Sequence, residues 1–154
     1  MARAGKQSPG AYRLGLMGDK PPRHKAALQL AVDQSGYGKK KLAAGRAWGV
    51  AVHESFSSVV AYVVEASVSK DGTPKLHSVT AGVHCNLAVN SKSVEAQVQG
   101  GALMGLSMCL PGAAITLKDG VVEQSNFGDF PVPRISDMPQ VAVHFVPSAA
   151  PPTG

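Results

Sequence analysis

The sequence predicts an α+β fold: a mixed or antiparallel sheet with one long buried helix and a shorter N-terminal helix. Three observations support this: β-type alternation in the middle of the chain, glycine-containing hairpin signals, and helical spacing of apolar residues in two other segments. The predicted order is a helix, three strands, a helix, two strands, a long loop and a strand. That order differs from the regular βαβ alternation of a doubly wound parallel sheet.

The shorter helix is predicted near residues 21–35. Pro21 and Pro22 suit a helix start, and the apolar stripe that follows ends before Gly36. Residues 1–20 are rich in glycine, proline and basic side chains without a sustained period, so we expect a loosely ordered lead-in there. Residues 1–45 are therefore assigned to a basic lead-in, and residues 46–154 to the domain that contains the sheet.

The first three strands are predicted from runs rich in valine and small residues. Trp48–His53 and Ser58–Val68 are two such runs, and Lys75–Cys85 alternates in the same way. Asp71-Gly72 lies between the second and third runs and is a strong turn signal, because glycine accepts the positive φ of tight hairpins. These segments predict a β-hairpin.

A second hairpin and a last strand are predicted in the C-terminal third. Ala113–Leu117 and Val121–Gln124 flank Lys118-Asp119-Gly120, another hairpin signal, and Val141–Val146 resembles a short strand. The proline-rich stretch Asn126–Pro139 between them is predicted to be a long loop. Asn126–Arg134 within it is interpreted either as a segment that shapes a substrate funnel or covers a bound cofactor, or as an ordinary surface loop fixed by prolines and aromatic residues.

The long buried helix is predicted from Ser91 to Leu110, where apolar residues recur at helical spacing. It contains Gly100 and Gly101, which are costly within a helix and need a reason to be there. One interpretation is that the glycines let another backbone pack closely. The other is that they admit a flat ligand, with the Gln97 amide offering both donor and acceptor atoms to its edge.

Charge is distributed unevenly along the chain. Residues 1–46 contain ten lysines and arginines against two aspartates, a net charge of +8, whereas residues 47–154 have a net charge of −3. The basic segment is interpreted either as a contact surface for nucleic acid or another anion, or as a solvated segment or docking surface, and we favour the second. No apolar stretch has the length of a membrane span or a secretory signal, so we expect a soluble, cytoplasmic protein.

The remaining candidates for chemistry are few. Cys85 and Cys109 are too far apart for a zinc ribbon or a redox pair, and both are interpreted as small core residues. His53 and Glu54 adjoin each other without the second histidine that a zinc site of this type needs. The residues alone therefore assign neither a metal site nor a catalytic group.

Several motifs, in the right order, resemble the molybdopterin-binding part of xanthine dehydrogenase-like molybdenum hydroxylases. In that family a strand, an Asn-Pro turn and a Gln-x-Glu-Gly-Gly helix follow one another, as Val83–Ser91 and Ala96–Gly101 do here. Gly49–Phe56, Thr116–Gly120 and Gln124–Phe127 are similar to the beta subunits of isoquinoline 1-oxidoreductase and related aldehyde dehydrogenases. By this resemblance, residues 46–154 form part of a molybdopterin-binding domain.

The resemblance implies a molybdenum-molybdopterin cofactor, commonly in its cytosine dinucleotide form. It also implies a partner subunit with [2Fe–2S] clusters and the remainder of the large subunit. Enzymes of this family hydroxylate N-heterocycles or oxidise aldehydes with oxygen from water. Nucleic acid has no part in that chemistry. The alternative is a non-catalytic, standalone binding or interaction domain derived from the same family.

Carried over residue by residue, the resemblance assigns cofactor contacts to Gln97, Gly100 and Gly101, and matches Asn90 to the asparagine of the preceding turn. Ser91 stands where the family usually has proline, and Gln99 where an acid is common.

The catalytic group of the family is a glutamate in a Val-Gly-Glu-Pro-Gly motif, and by the resemblance that glutamate lies beyond Gly154. A general base must reach the proton that it removes. We therefore expect this chain to be inactive on its own.

Overall fold

A four-stranded mixed sheet forms the centre of the computed structural model, which describes residues 1–18, 22–109 and 115–154. Strands β1 (Arg46–Ser55), β2 (Ser58–Val68) and β3 (Pro74–His84) form an antiparallel meander. Two short strands, β4 (Leu117–Lys118) and β5 (Val121–Val122), make a separate hairpin. Strand β6 (Gln140–Phe145) pairs in parallel with β3, so the sheet order is β1-β2-β3-β6.

Three α-helices accompany the sheet among the described residues: α1 (Pro9–Met17), α2 (Pro22–Ser35) and α3 (Ser91–Ser107). Helix α2 packs on one face of β2 and β3, and α3 packs on the opposite face. The predicted α+β class, the mixed sheet and both predicted helices are confirmed. Within the described ranges, no helix combines the length and apolar character needed to cross a lipid bilayer.

Both predicted hairpin turns are present. Gly72 has φ 87° at the first, and Asp119 and Gly120 have φ 51° and 79° at the second. Helix α3 ends at Ser107, so the predicted extension of the helix to Leu110 is wrong, because the chain turns at Met108 and Cys109. Leu110 itself and part of the predicted strand Ala113–Leu117 lie outside the described residues. The proline-rich stretch is a loop, as predicted, and contains two short 3-10 helices, Phe127–Asp129 and Ile135–Asp137.

The expectation of a loosely ordered segment over residues 1–20 is wrong, because α1 lies within it. The Ser8 Oγ accepts a hydrogen bond from the Ala11 N–H at 3.2 Å, and Pro9 occupies the first turn, where its missing N–H costs nothing. The Gly10 N–H donates to the Tyr37 hydroxyl at 3.1 Å, which ties the helix to the residues that follow α2. The domain division at residue 46 stays a prediction.

The main core lies between α2 and the sheet. Ala27, Leu28 and Ala31 of α2 are fully buried, with Val59 and Ala61 of β2 beneath them. The two elements meet closely enough to require a glycine on the neighbouring strand β3. A Cβ at Gly82 would stand 2.2 Å from the Ala27 carbonyl oxygen and 3.0 Å from the Ala31 backbone nitrogen.

A buried carboxylate closes one end of this core. Glu65 follows the alternation of β2 onto the same face as the core valines and is only 2% exposed. Its Oε1 lies 2.6 Å from Arg46 Nη1 and its Oε2 lies 3.2 Å from Lys40 Nζ. The hydrogen bond from Arg46, against the opposing effect of burial, holds the pKa of Glu65 below its ordinary value. The two cations thereby satisfy a charge that is costly to bury alone.

The second core is smaller and joins α3 to the other face of the sheet. Its buried members are Ala81, Val83, Cys85 and Val98, and the Tyr62 hydroxyl donates to the Val98 carbonyl oxygen at 3.1 Å. Within α3 only Val98, Leu106 and Ser107 are buried, so the helix buries one side rather than its whole circumference. Cys85 is a core residue as predicted, whereas that interpretation is wrong for Cys109, which is exposed beyond the end of the helix.

Replacing Gly82 by alanine should destabilise the fold, because the added methyl group meets backbone atoms of α2 that cannot rotate away. We expect a loss of about 3 kcal/mol in the free energy of unfolding, measured by urea denaturation. Gly49→Ala is the matched control, since a Cβ there meets nothing within 4 Å. That variant should be neutral or slightly more stable. Equal effects of the two substitutions would disprove the close crossing.

The Glu65 ion pairs should make stability depend on pH in the acid range. Because the folded-state pKa of Glu65 is lowered, its contribution is present above the unfolded value of about 4.3 and is lost as pH falls through the folded-state pKa. The stability difference between the native chain and Glu65→Gln should therefore shrink over that window in urea titrations. Glu123→Gln, at an exposed position, is the control and should not alter the profile. A difference independent of pH would contradict this account.

Candidate functional site

The site begins at the start of α3, where Asn90 caps the helix. The Asn90 Oδ1 accepts a hydrogen bond from the Ser93 N–H at 3.1 Å, and its backbone is extended at φ −133°. Ser91 takes the first helical position, where proline is also favoured because the N–H there has no partner within the helix. The departure from the family pattern at Ser91 therefore leaves the helix start intact.

One side of α3 is open to solvent and carries three of the predicted residues. Gln97, Gly100 and Gly101 are exposed and neighbour one another at the spacing of one helical turn. Met104 and Met108 extend the same side and are 59% and 71% exposed. We call this side of the helix the α3 outer face and define it by five residues: Gln97, Gly100, Gly101, Met104 and Met108. Asn90 lies at the beginning of this face. The structure thus brings all four predicted contact residues together along one helix, although the Asn90 Oδ1 is used for capping.

The glycines of α3 are not explained by close packing within the described residues. A Cβ added at Gly100, Gly101 or Gly105 would meet nothing within 4 Å. Each of these glycines costs about 1 kcal/mol relative to alanine in a helix. The part of the chain that the structure describes offers the Gln97 side chain no hydrogen-bond partner. The glycines and the amide are therefore available to a group from outside the described chain.

An apolar groove runs beside the outer face, between α3 and the sheet. Gly101 and Gly105 form one wall, Tyr62 and Leu76 form the other, and the groove encloses about 400 Å³. Burial raises the pKa of Tyr62, so its phenol stays neutral at physiological pH. The groove therefore presents an uncharged wall next to the polar amide of Gln97.

The C-terminal segment lies beside the turn that leads into α3. The Val146 N–H donates to the Val83 carbonyl oxygen at 2.8 Å, extending the parallel pairing of β3 and β6. Further along, the Leu87 N–H donates to the Ala150 carbonyl oxygen at 3.1 Å, and the Thr153 N–H to the Cys85 carbonyl oxygen at 3.2 Å. This arrangement was not predicted, because a segment rich in proline and alanine has no strand-like alternation.

Asn86 shapes the turn itself. Its φ of 59° is left-handed, a conformation that asparagine adopts more readily than most residues. Its side-chain amide donates to the Pro151 carbonyl oxygen at 2.9 Å. The turn is thus fixed by its own backbone and by the C-terminal segment. A left-handed asparagine gives no distinct signal in a single sequence.

A basic residue at the start of α2 ties together the ends of several strands. The Arg23 guanidinium donates to the His84 carbonyl oxygen at 3.0 Å, to His84 Nδ1 at 3.3 Å and to the Ser57 carbonyl oxygen. Burial, followed by the nearby Arg23 charge, lowers the pKa of His84. His24 Nε2 lies 3.3 Å from Glu54 Oε2. These contacts hold the β1–β2 turn against α2, so we assign them a structural role.

Across the described ranges, no group of three or more His, Cys, Asp or Glu side chains is placed to hold a metal ion. His53 is exposed on β1, and the adjacent Glu54 is engaged by α2. The loop over residues 126–139 is stabilised internally, because Asp129 accepts backbone hydrogen bonds that lower its pKa. Phe127 in this loop is 97% exposed. Its proposed part in a substrate funnel stays a prediction.

The chain is similar in sequence to one part of a molybdenum enzyme. It is 29% identical over 149 residues to the isoquinoline 1-oxidoreductase subunit beta of Brevundimonas diminuta, covering 95% of this chain but 19% of that protein. The chain therefore spans about a fifth of the length of this relative.

Solved structures share the fold at lower sequence identity. Quinoline 2-oxidoreductase from Pseudomonas putida 86 superposes with a TM-score of 0.53 at 15% sequence identity. The match covers 59% of this chain and 12% of the quinoline 2-oxidoreductase chain. A Cu,Mo-CO dehydrogenase superposes with a TM-score of 0.54 at 23% sequence identity, over 62% of this chain and 12% of the dehydrogenase chain. The reconstituted CO dehydrogenase from Oligotropha carboxidovorans superposes with a TM-score of 0.52 at 24% sequence identity, over 58% of this chain and 11% of the dehydrogenase chain.

The family match covers α2, strands β1 to β3, α3 and the β4–β5 hairpin, and ends at the residue before β6. Residues 22–139 match the family described as Molybdopterin cofactor-binding domain, which is most of the chain and includes all four predicted contact residues. The chain therefore belongs to the molybdopterin cofactor-binding domain family.

Proposed function

We propose that the α3 outer face forms part of the molybdopterin-binding surface of a molybdenum hydroxylase. The observation that carries this proposal is the pairing of open glycines, at Gly100 and Gly101, with the Gln97 amide that has no partner among the described residues. Membership of the cofactor-binding family supports the choice of ligand.

The residues of this face fit a flat, polar-edged group. The Gln97 amide has two donors and an acceptor, which match the alternating donors and acceptors at the edge of a pterin. Without side chains at Gly100 and Gly101, a ring system lying along the helix comes within van der Waals distance of the backbone. The Asn90 Nδ2 remains a donor at the helix start while the Oδ1 caps α3.

When bound, the molybdenum cofactor supplies the redox centre that accepts electrons as a carbon is hydroxylated with oxygen from water. The residues of this chain bind and orient it. Gln97 fixes the edge of the pterin, the glycines set its distance from the helix, and the apolar groove beside them keeps water from one side of the ligand.

The proposal extends to the form of the cofactor, the partner subunit and the class of substrate. The similarity to an isoquinoline 1-oxidoreductase subunit supports a cytosine dinucleotide form of the cofactor, an iron–sulfur partner with [2Fe–2S] clusters, and N-heterocycle or aldehyde substrates. The short span relative to that protein supports assembly with further large-subunit sequence. Cytoplasmic location is likewise proposed. Exposed apolar residues of the β4–β5 hairpin, Leu117, Val121 and Val122, suit a surface that packs against other protein.

Alanine at Gly100 or Gly101 should lower cofactor retention while stabilising the helix. The added methyl group meets nothing within the described chain, so we expect a gain of about 0.5–1 kcal/mol in stability. The same methyl group occupies the space proposed for the pterin. Molybdenum and phosphorus content of protein purified from cells that make the cofactor should fall for both variants. A dinucleotide form carries twice as much phosphorus per molybdenum as the simple form of molybdopterin, which has a single phosphate and no nucleoside.

Gly15→Ala in α1 is the matched control, because Gly15 is also helical with nothing within 4 Å of an added Cβ. It should stabilise its helix without changing the metal content. Native protein that contains neither molybdenum nor phosphorus would reject the proposal and favour the non-catalytic binding domain. Unchanged metal content in the Gly100 and Gly101 variants would reject the assigned face.

The chain by itself should neither hydroxylate N-heterocycles nor oxidise aldehydes, even with cofactor and an iron–sulfur subunit present. The described residues supply one ligand-facing helix and, by the family resemblance, no catalytic carboxylate. General-base assistance contributes about 10²–10⁴ to a rate, and mispositioned cofactor adds to that loss. Appending a Val-Gly-Glu-Pro-Gly tail alone should leave the protein inactive. Dye-linked turnover by the unextended chain would contradict this expectation.

A further inference from the structure

A second groove lies at the N-terminal end of the molecule and differs in character from the one beside α3. It encloses about 610 Å³ between the first residues, α1 and β1. Two arginines, Arg3 and Arg13, and two aromatic residues, Tyr12 and Trp48, form its walls together with apolar side chains. This volume is within the usual range of pockets for small molecules.

The walls of this groove are held by the fold. Arg13 follows Pro9 by one helical turn, and its Nη1 donates to the Pro9 carbonyl oxygen at 3.2 Å. Trp48 lies on β1 with its ring centroid 5.9 Å from that of Tyr37 and tilted by 56°. Tyr37 in turn accepts the hydrogen bond from the Gly10 N–H. The aromatic wall and α1 are therefore connected through buried contacts.

The charge of the groove is not neutralised by the surrounding residues. Among the described residues, no acidic side chain contributes to its lining and none forms an ion pair with Arg3 or Arg13. The hydrogen bond to Pro9 uses one of the five guanidinium N–H donors of Arg13. The groove thus combines strong cationic donors with aromatic surface, and both arginines belong to residues 1–46, which contain the excess positive charge of the chain.

We propose that this groove binds a small anionic aromatic ligand, of which a nucleoside monophosphate is the simplest example. The base packs against Trp48 and Tyr12, and the phosphate accepts hydrogen bonds from Arg3 and Arg13. Guanidinium groups match phosphate geometry, and aromatic side chains provide stacking surfaces for bases. Trp48 belongs to the α2 side of the sheet, whereas α3 occupies the other side. The groove is therefore separate from the α3 outer face, and this proposal is independent of the proposed function.

Trp48 is the single tryptophan of the chain, so its fluorescence reports on this groove directly. Titration of the full chain with AMP should change the emission saturably. Adenosine lacks the charge and inorganic phosphate lacks the ring, so each should bind at least about tenfold more weakly than AMP. Equal affinity for AMP and adenosine, or no saturable change with AMP, would overturn the proposal.

Arginine substitutions locate the phosphate. Arg3→Gln and Arg13→Gln should each weaken AMP binding by roughly tenfold while leaving adenosine binding unchanged. Arg134→Gln removes the same charge from the loop that precedes β6, at the opposite edge of the sheet, and should have no effect. Circular dichroism confirms folding of each variant, and Arg3→Gln loses no side-chain hydrogen bond within the described chain. Equal weakening by all three substitutions would indicate general charge attraction and would also overturn the proposal.

Discussion

Helix α2 crosses strand β3 at a distance that only glycine permits. The Ala27 carbonyl oxygen occupies the space that a Cβ at Gly82 would need, so the backbones of helix and strand are in direct contact. This contact places Ala27 and Ala31 against the middle of the sheet and excludes water from that face. Small residues on both elements make the close approach possible, and dispersion across the dense contact stabilises it. The rest of the fold is arranged around this sealed face.

The two faces of the sheet consequently differ in how much of their covering surface remains exposed. On the α2 side, alternate residues of β2 are completely buried, down to the paired carboxylate of Glu65. On the other side, α3 covers β3 and β6 through Val98 and a few neighbours and exposes its remaining surface. A rigid, sealed layer thus supports a helix whose glycines stay open. That division fits the proposed binding of the cofactor at the α3 outer face.

Much of this organisation follows from local sequence. Glycine-containing turns predicted both hairpins, and apolar periodicity predicted α2, α3 and the strands, because these signals act between neighbouring residues. Gln97 and the glycine pair were identified by the cost of glycine in a helix together with family resemblance.

Features that depend on distant contacts were not predicted. Gly82 gave no local signal because its constraint comes from Ala27 on another element. The Ser8-Pro9 helix start was overlooked within a glycine-rich segment. Glu65 was detectable in principle, since strand alternation puts it on the same face as Val59 and Val63, where a buried carboxylate needs a partner.

Methionine oxidation tests most directly the proposed contact between the α3 outer face and the pterin. Met104 and Met108 extend the face that carries Gln97 and are 59% and 71% exposed. Met17 lies on α1 and packs against the core on the α2 side of the sheet, away from the α3 outer face. Protein incubated with molybdopterin cytosine dinucleotide should be treated with dilute peroxide and each sulfoxide quantified by mass spectrometry. The account predicts slower oxidation of Met104 in the presence of cofactor and an unchanged rate at Met17. Equal rates at Met104 with and without cofactor would contradict it.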